Sequence, residues 1–226
     1  MALNKIKIFF RKIYFITVGR QRVENLIKKK ICNEGSMLDA GCGKSSPITR
    51  VRGNFHKVGL DIYEPYLLKC REQSMYDDYV LGDVRDLPFK SNFFDYVMSI
   101  EVLEHLNKLD GLKMIKEMTR VAKKKIILTT PNGFLSTFAG AEDNPTECHL
   151  SGWTYNELKE LGLKVYGLNG LKFLWTIKKG RAVYVLNIPI LSTLLVDLSE
   201  FIVYYFPKLA FQFFCVKNLD YNNKTK

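Results

Sequence analysis

The chain has 226 residues, of which 47% are apolar and 25% charged, enough for a folded core and too apolar for a disordered chain. That length suits one α/β domain with an insertion or appended helices and is tight for two full domains. Net charge is +11, but eight of those charges fall in residues 1–30, where nine Lys and Arg stand against Glu24 alone, so the remainder is not a basic nucleic-acid platform.

Five scattered cysteines, Cys32, Cys42, Cys70, Cys148 and Cys215, form no Cys-x-x-Cys pair. An odd, scattered set excludes a disulfide framework and a zinc ribbon and predicts a reducing, cytoplasmic setting. Near the N-terminus, Arg11 and Lys12 interrupt the apolar run Ile6–Ile16, which excludes a signal peptide. Helices are expected over 5–17 and 20–31, making residues 1–31 a basic amphipathic arm. It either lies on an anionic membrane surface or packs on the domain with its basic face in water.

Residues 32–226 read as one domain. Strand 1 is expected over Ser36–Ala40, and a short helix begins after it, capped by serine with Pro47 at its first position. Strand 2 spans Lys57–Leu60, followed by a helix over Glu64–Glu72. Strand 3 covers Tyr79–Leu81 and strand 4 Phe94–Ser99. A helix over Leu103–Val121 is expected to break near Asp110-Gly111. Strand 5 is Lys125–Thr129. Thr154, with Glu157 three residues on, forms a capping box for a helix reaching Leu161. Strand 6 is Leu163–Leu168.

Alternating strands and helices predict a doubly wound, mostly parallel sheet. Residues 169–209 then form a long insertion before a last strand at Ala210–Val216. Within it, Ile190, Leu194, Leu198, Phe201 and Tyr205 recur at helical spacing, predicting an amphipathic helix. Asp197 and Glu200 sit mid-segment and argue against a membrane span.

The chemistry-bearing run is Leu38-Asp39-Ala40-Gly41-Cys42-Gly43, where an apolar strand meets two glycines that let the backbone turn tightly and approach a ligand. A nicotinamide-dinucleotide site would want a third glycine where Ser46 stands, so that fingerprint is missing. Further strand ends carry Gly-Leu-Asp-Ile-Tyr at 59–63, Gly-Asp-Val-Arg-Asp-Leu-Pro-Phe at 82–89, Ile-Glu-Val-Leu-Glu-His at 100–105 and Leu-Thr-Thr-Pro-Asn at 128–132.

In that order these segments resemble class I S-adenosylmethionine (SAM)-dependent methyltransferases over about residues 36–168. The resemblance implies a Rossmann-like seven-stranded sheet, with the last strand antiparallel between strands 5 and 6, and SAM as cofactor. It implies that Gly41, Cys42 and Gly43 lie against the methionine and ribose portion. Asp39 would help hold the loop and, through water or directly, the ammonium, and Asp61, beside Ile62, the ribose hydroxyls. Asp83 would accept the adenine amino group with Val84 offering its NH, and Ile100 and Glu101 would close the pocket near the methyl donor. Cys42 is not read as a nucleophile.

His149 precedes Trp153-Thr154 in a segment resembling the family's acceptor-facing stretch. It is expected to act, together with Glu101, in catalysis as general base or substrate contact; the alternative is a loop histidine bonded to backbone. Glu101, Glu104 and His105 share one helical face and, with His149, resemble the metal set of small-RNA 2′-O-methyltransferases and, in part, of ubiquinone-pathway O-methyltransferases. The same string occurs across the superfamily without metal, and no metal is expected.

The implied reaction is methyl transfer to an oxygen, nitrogen or carbon nucleophile on a small apolar or amphiphilic acceptor roofed by Leu194, Leu195, Leu198, Phe201 and Tyr205. Peripheral membrane contact fits that acceptor. Alternatives are a nucleic-acid methyltransferase using the basic arm and a SAM-binding module without catalysis.

Overall fold

The computed structural model describes residues 23–136 and 144–219, so the helix expected over 5–17 lies outside the described residues. The strands are β1 (Glu34–Ala40), β2 (Asn54–Asp61), β3 (Asp78–Leu81), β4 (Phe94–Ile100), β5 (Ala122–Pro131), β6 (Lys164–Leu171), β7 (Trp175–Lys178), β8 (Arg181–Tyr184) and β9 (Ala210–Asn218). The α-helices are α1 (Glu64–Glu72), α2 (Lys108–Val121), α3 (Tyr155–Glu160) and α4 (Pro189–Tyr205). Seven strands form one sheet in the order β3-β2-β1-β4-β5-β9-β6. Its strands from β3 to β5 are parallel, and β9 runs antiparallel between β5 and β6, as the family resemblance implies.

The strands read as nearly continuous apolar runs because both faces of the sheet are covered. Leu38, Val97, Ile126 and Leu128 point to one side, beneath Met114, Ile115 and Met118 of α2. Their neighbours Met37, Tyr96, Met98 and Ile127 point to the other side, beneath Val23 and Ile27. Those two belong to helical residues 23–28, so the described end of the N-terminal segment packs on the domain and shares its core. With apolar burial worth about 25 cal/mol per Å², these two layers dominate the favourable side of folding.

One boundary differs from expectation for a local reason. The segment 103–121 divides into a 3-10 turn at Leu103–His105 and α2, so the break comes before Lys108 and not at Asp110-Gly111. Asn107 causes it: its side-chain oxygen accepts from the Asp110 N–H at 2.9 Å and caps α2. Gly111 stays helical, its N–H donating to the Asn107 carbonyl at 2.8 Å, and glycine is kept there because a Cβ would lie 2.6 Å from the Trp153 ring. At α3 the expected capping box forms, with the Thr154 N–H donating to Glu157 Oε2 at 2.8 Å and the Glu157 N–H to Thr154 Oγ1 at 3.3 Å.

The insertion holds more than the expected helix. β7 and β8 form a hairpin, turned at Lys179 and Gly180, both with positive φ. More consequentially, α4 packs the other way round from expectation. Its buried residues are Ser192, Val196, Ser199 and Val203, whereas Leu194, Leu198, Phe201 and Tyr205 are exposed and do not roof the cleft. The reason is backbone proximity. A Cβ on Gly167 of β6 would sit 2.1 Å from the Val203 carbonyl oxygen, and one on Gly170 would sit 2.9 Å from that of Val196. Only small or β-branched side chains fit such an approach. Ser199 Oγ also accepts from the Leu171 N–H at 3.1 Å, tying α4 to the end of β6.

Gly167→Ala is therefore expected to overpack the α4–β6 contact and cost about 1–3 kcal/mol. Urea unfolding would show this as a lowered midpoint; an unchanged midpoint would mean that α4 does not rest on that strand.

Candidate active site

At the end of β1 the chain bends through Gly41 and Gly43, with φ of 80° and 55°. The Leu60 carbonyl of β2 accepts from both the Gly41 and the Cys42 N–H, at 2.8 and 2.9 Å, locking the turn to the neighbouring strand. A Cβ on Gly41 would lie 2.5 Å from Val102 Cγ2, so glycine is required there on two counts. A Cβ on Gly43 would meet nothing within 4 Å: it would project into open space at the mouth of the cleft.

Asp61 fixes the far side of this turn. Its Oδ2 accepts from the Gly43 N–H at 2.8 Å and its Oδ1 from the Tyr63 N–H at 2.9 Å. Burial pushes the carboxyl above its usual range, and the two N–H donors pull it back toward the charged form. Each carboxylate oxygen has two acceptor sites, so one on each remains for a ribose diol. The bare Gly43 backbone and this half-used carboxylate therefore fit the nucleoside part of SAM.

The cleft encloses about 1360 Å³ and runs from the glycine turn past Asp61, Ile62 and Val84 to Ile100 and Glu101, then outward toward the insertion. That exceeds the roughly 300–1,000 Å³ typical of a single-ligand pocket, leaving space for a second molecule beside the donor. Cys42 touches the cleft with its backbone turn, while its thiol is buried beside Cys70 and held protonated by burial. This is not a nucleophile's environment.

Two donor-side expectations change. Asp39 does not line the cleft; it is buried behind the turn, where its Oδ2 accepts from the Tyr76 hydroxyl at 2.6 Å. It is thus placed to support the loop and not to meet an ammonium directly. Burial pushes its carboxyl up to about 6. Asp83 does line the cleft, but Arg85 clamps it, with Nε at 2.8 and 2.9 Å, Nη2 at 2.6 Å and the backbone N–H at 2.8 Å. These contacts consume its acceptor sites, and although burial alone would raise the carboxyl, Arg85 holds it below its usual range. An adenine amino group could bond to Asp83 only by displacing Arg85.

At the other end, Glu101 closes β4 with a positive φ of 57°, which turns its carboxyl into the cleft floor, where Oε1 accepts from Thr129 Oγ1 at 2.7 Å. Burial raises its pKa. His149 lines the cleft with its ring 4.8 Å from that of His105, nearly perpendicular. Burial, with His105 beside it, lowers His149 to about 4, so the imidazole is neutral near pH 7 and a weaker base than the near-neutral one that an ordinary histidine would supply.

Glu104, His105 and His149 bring ligand atoms within 4.8 Å of one another; Glu101 is not part of that trio. Glu104 is 1% exposed, and burial together with Glu101 holds its carboxyl well above the usual range. Both Glu104 carboxyl oxygens and His149 Nδ1 are buried without a hydrogen-bond partner among the described residues, and ligation at the trio would release the Glu104 proton.

The outer arm of the cleft was not legible as such in the sequence. Trp175 stacks on Phe211 with ring centroids 4.6 Å apart and meets Tyr184 at 4.5 Å. Asn169 Nδ2 donates to Gln212 Oε1, which places two amides beside these rings. Asn169 and Gly170 both take positive φ, and this Asn-Gly pair was an available turn signal.

Residues 38–129 match the model of a family described as a methyltransferase domain. A provisionally named methyltransferase of Encephalitozoon cuniculi is 30% identical over 149 residues, covering 63% of this chain and 69% of that protein. A tRNA (carboxymethyluridine(34)-5-O)-methyltransferase of Arabidopsis thaliana is 30% identical over 119 residues, 52% of this chain and 27% of that protein. The chain spans under half the length of several curated relatives it matches. A solved SAM-dependent methyltransferase of Thermotoga maritima shares the fold with a TM-score of 0.56 at 13% identity, over 94% of this chain and 96% of that one. Strand order, donor-side turn and sequence similarity agree, and the chain belongs to the class I SAM-dependent methyltransferases.

Proposed function

We propose that this methyltransferase acts on a small amphiphilic acceptor carrying a ring and polar substituents, held in the outer arm of the cleft. The aromatic platform of Trp175, Tyr184 and Phe211, with the Asn169–Gln212 amides beside it, supports this reading. A ring face gains stacking there while its polar edge finds hydrogen-bond partners.

Bound SAM supplies an electrophilic methyl group, so the chain's share is alignment and proton handling. Gly41 and Gly43 with Asp61 would hold the donor, and Glu101 floors the junction between the two arms. His149, neutral near pH 7, accepts a hydrogen bond from the acceptor's nucleophile and sets no positive charge against a sulfonium. An RNA acceptor is a second reading, favoured by the Arabidopsis relative that acts on tRNA.

Labelled SAM incubated with host-cell extract separates these readings. The label is expected in the small-molecule fraction and is expected to fall at least about tenfold with Trp175→Ala at unchanged SAM affinity. Label in RNA would favour the second reading, and no label despite SAM binding would mean a non-catalytic module.

Calorimetry tests the donor site. Asp61→Asn is expected to weaken SAM binding by about 1–3 kcal/mol. Gly43→Ala is expected to fold, at about 1–2 kcal/mol of left-handed strain, yet to lose SAM because its methyl fills the cradle. Full SAM affinity in the alanine variant would remove the turn from the donor site.

The pH profile tests His149. With its pKa near 4, the imidazole stays unprotonated from about pH 5 upward and loses its acceptor role only as pH falls toward 4. The rate is therefore expected to be level between about pH 6 and 8 as far as His149 governs it. A limb near pH 6.5 that vanishes in His149→Gln would contradict this.

A further inference from the structure

The outward face of α4 is an extended apolar feature that the donor and acceptor sites leave unused. Ile190 is 86% exposed, Phe201 73%, Leu198 66% and Tyr205 64%, with Leu194 at 52%. Their spacing puts them on one stripe along the whole helix. Soluble proteins rarely leave a contiguous apolar surface of this extent without an occupant.

Charge decides among the occupants. The two acids of α4 are turned from the stripe: Glu200 Oε2 accepts from the Gly170 N–H at 2.8 Å, and Asp197 lines the cleft. In the same insertion Lys172 bonds the Asn132 carbonyl and Arg181 lines the cleft, while Lys178, Lys179 and, past the helix, Lys208 are exposed. On the flank of α4 that faces β6, Lys30 Nζ donates to the Tyr166 hydroxyl at 2.9 Å and lies 3.5 Å from that of Tyr204. A second copy of a chain with net charge +11 would bring like charges together, and residues 1–22, with six basic residues and no acid, would do the same. An anionic bilayer supplies the opposite sign together with an apolar layer.

We propose that α4 docks the enzyme on an anionic membrane surface, its stripe of Ile190, Leu194, Leu198, Phe201 and Tyr205 entering the headgroup–acyl boundary. The inner side of α4 offers Thr193 and Val196 to the cleft, so the docked helix separates the lipid from the acceptor arm. The link to an amphiphilic acceptor rests on the function proposed above; the docking itself does not.

The test uses the full chain and a Leu198→Glu, Phe201→Glu double variant, both positions being exposed and outside the catalytic machinery. Co-sedimentation is run with vesicles of phosphatidylcholine and of phosphatidylcholine with phosphatidylglycerol. The native chain is expected to bind the phosphatidylglycerol vesicles at least about tenfold more tightly than the neutral ones, and the double variant to lose about tenfold or more. Unchanged SAM affinity in the variant would show that it is folded, keeping a failure of docking distinct from a failure of the donor site. Equal vesicle binding by both proteins overturns the proposal, as does no binding by either. A dimer in analytical ultracentrifugation that the double variant breaks, without vesicle binding, assigns the face to a second copy and also overturns it.

Discussion

The Asp61 carboxylate holding the Gly43 N–H is the interaction on which the donor site depends. Together with the Leu60 carbonyl, which takes two N–H groups from the same turn, it ties the ends of β1 and β2 into one rigid lip. Left-handed backbone at two glycines is unfavourable for most residues, and here it is held by three hydrogen bonds to the adjacent strand. The lip leaves backbone bare on one side and a partly free carboxylate on the other. Without it the cleft would have volume but no means of orienting a nucleoside.

Behind the lip and along the cleft rim, polar groups act as supports. Asp39 and Tyr76 pair beneath the glycine turn, and Arg85 bridges Asp83 to Asp110 in α2. Both acids stand where the family resemblance puts ligand contacts, yet both are occupied by protein partners. His149 shows the complementary effect: its surroundings remove charge instead of pairing it.

How far the sequence revealed this arrangement depended on the range of each signal. Strand ends followed by Gly or Asp are local patterns, so the strands ending at Ala40, Leu60 and Ser99 could be read directly, whereas the sheet order came from the family resemblance. The α3 capping box was equally local. The break before α2 went to Asn107 because a side-chain cap outweighed the more conspicuous Gly111, whose role is to admit Trp153 from a distant loop. The orientation of α4 was not legible, since periodicity marks the apolar stripe but not whether a core awaits it. Gly167 and Gly170 decide that question by drawing the helix backbone close and admitting only small side chains. The state of Asp83 depended on whether Arg85 folds back, which spacing does not record.

Trp175, Val196 and Phe211 form an apolar cluster apart from the two layers that cover the central sheet. In the function proposed above, the acceptor wall comes from this cluster and its hairpin β7–β8, whereas the donor lip draws on β1 and β2. Changes in one need not strain the other. A lineage carrying this scaffold can therefore exchange what it methylates by rewriting a few dozen residues near its C-terminal end, while inheriting its methyl source intact.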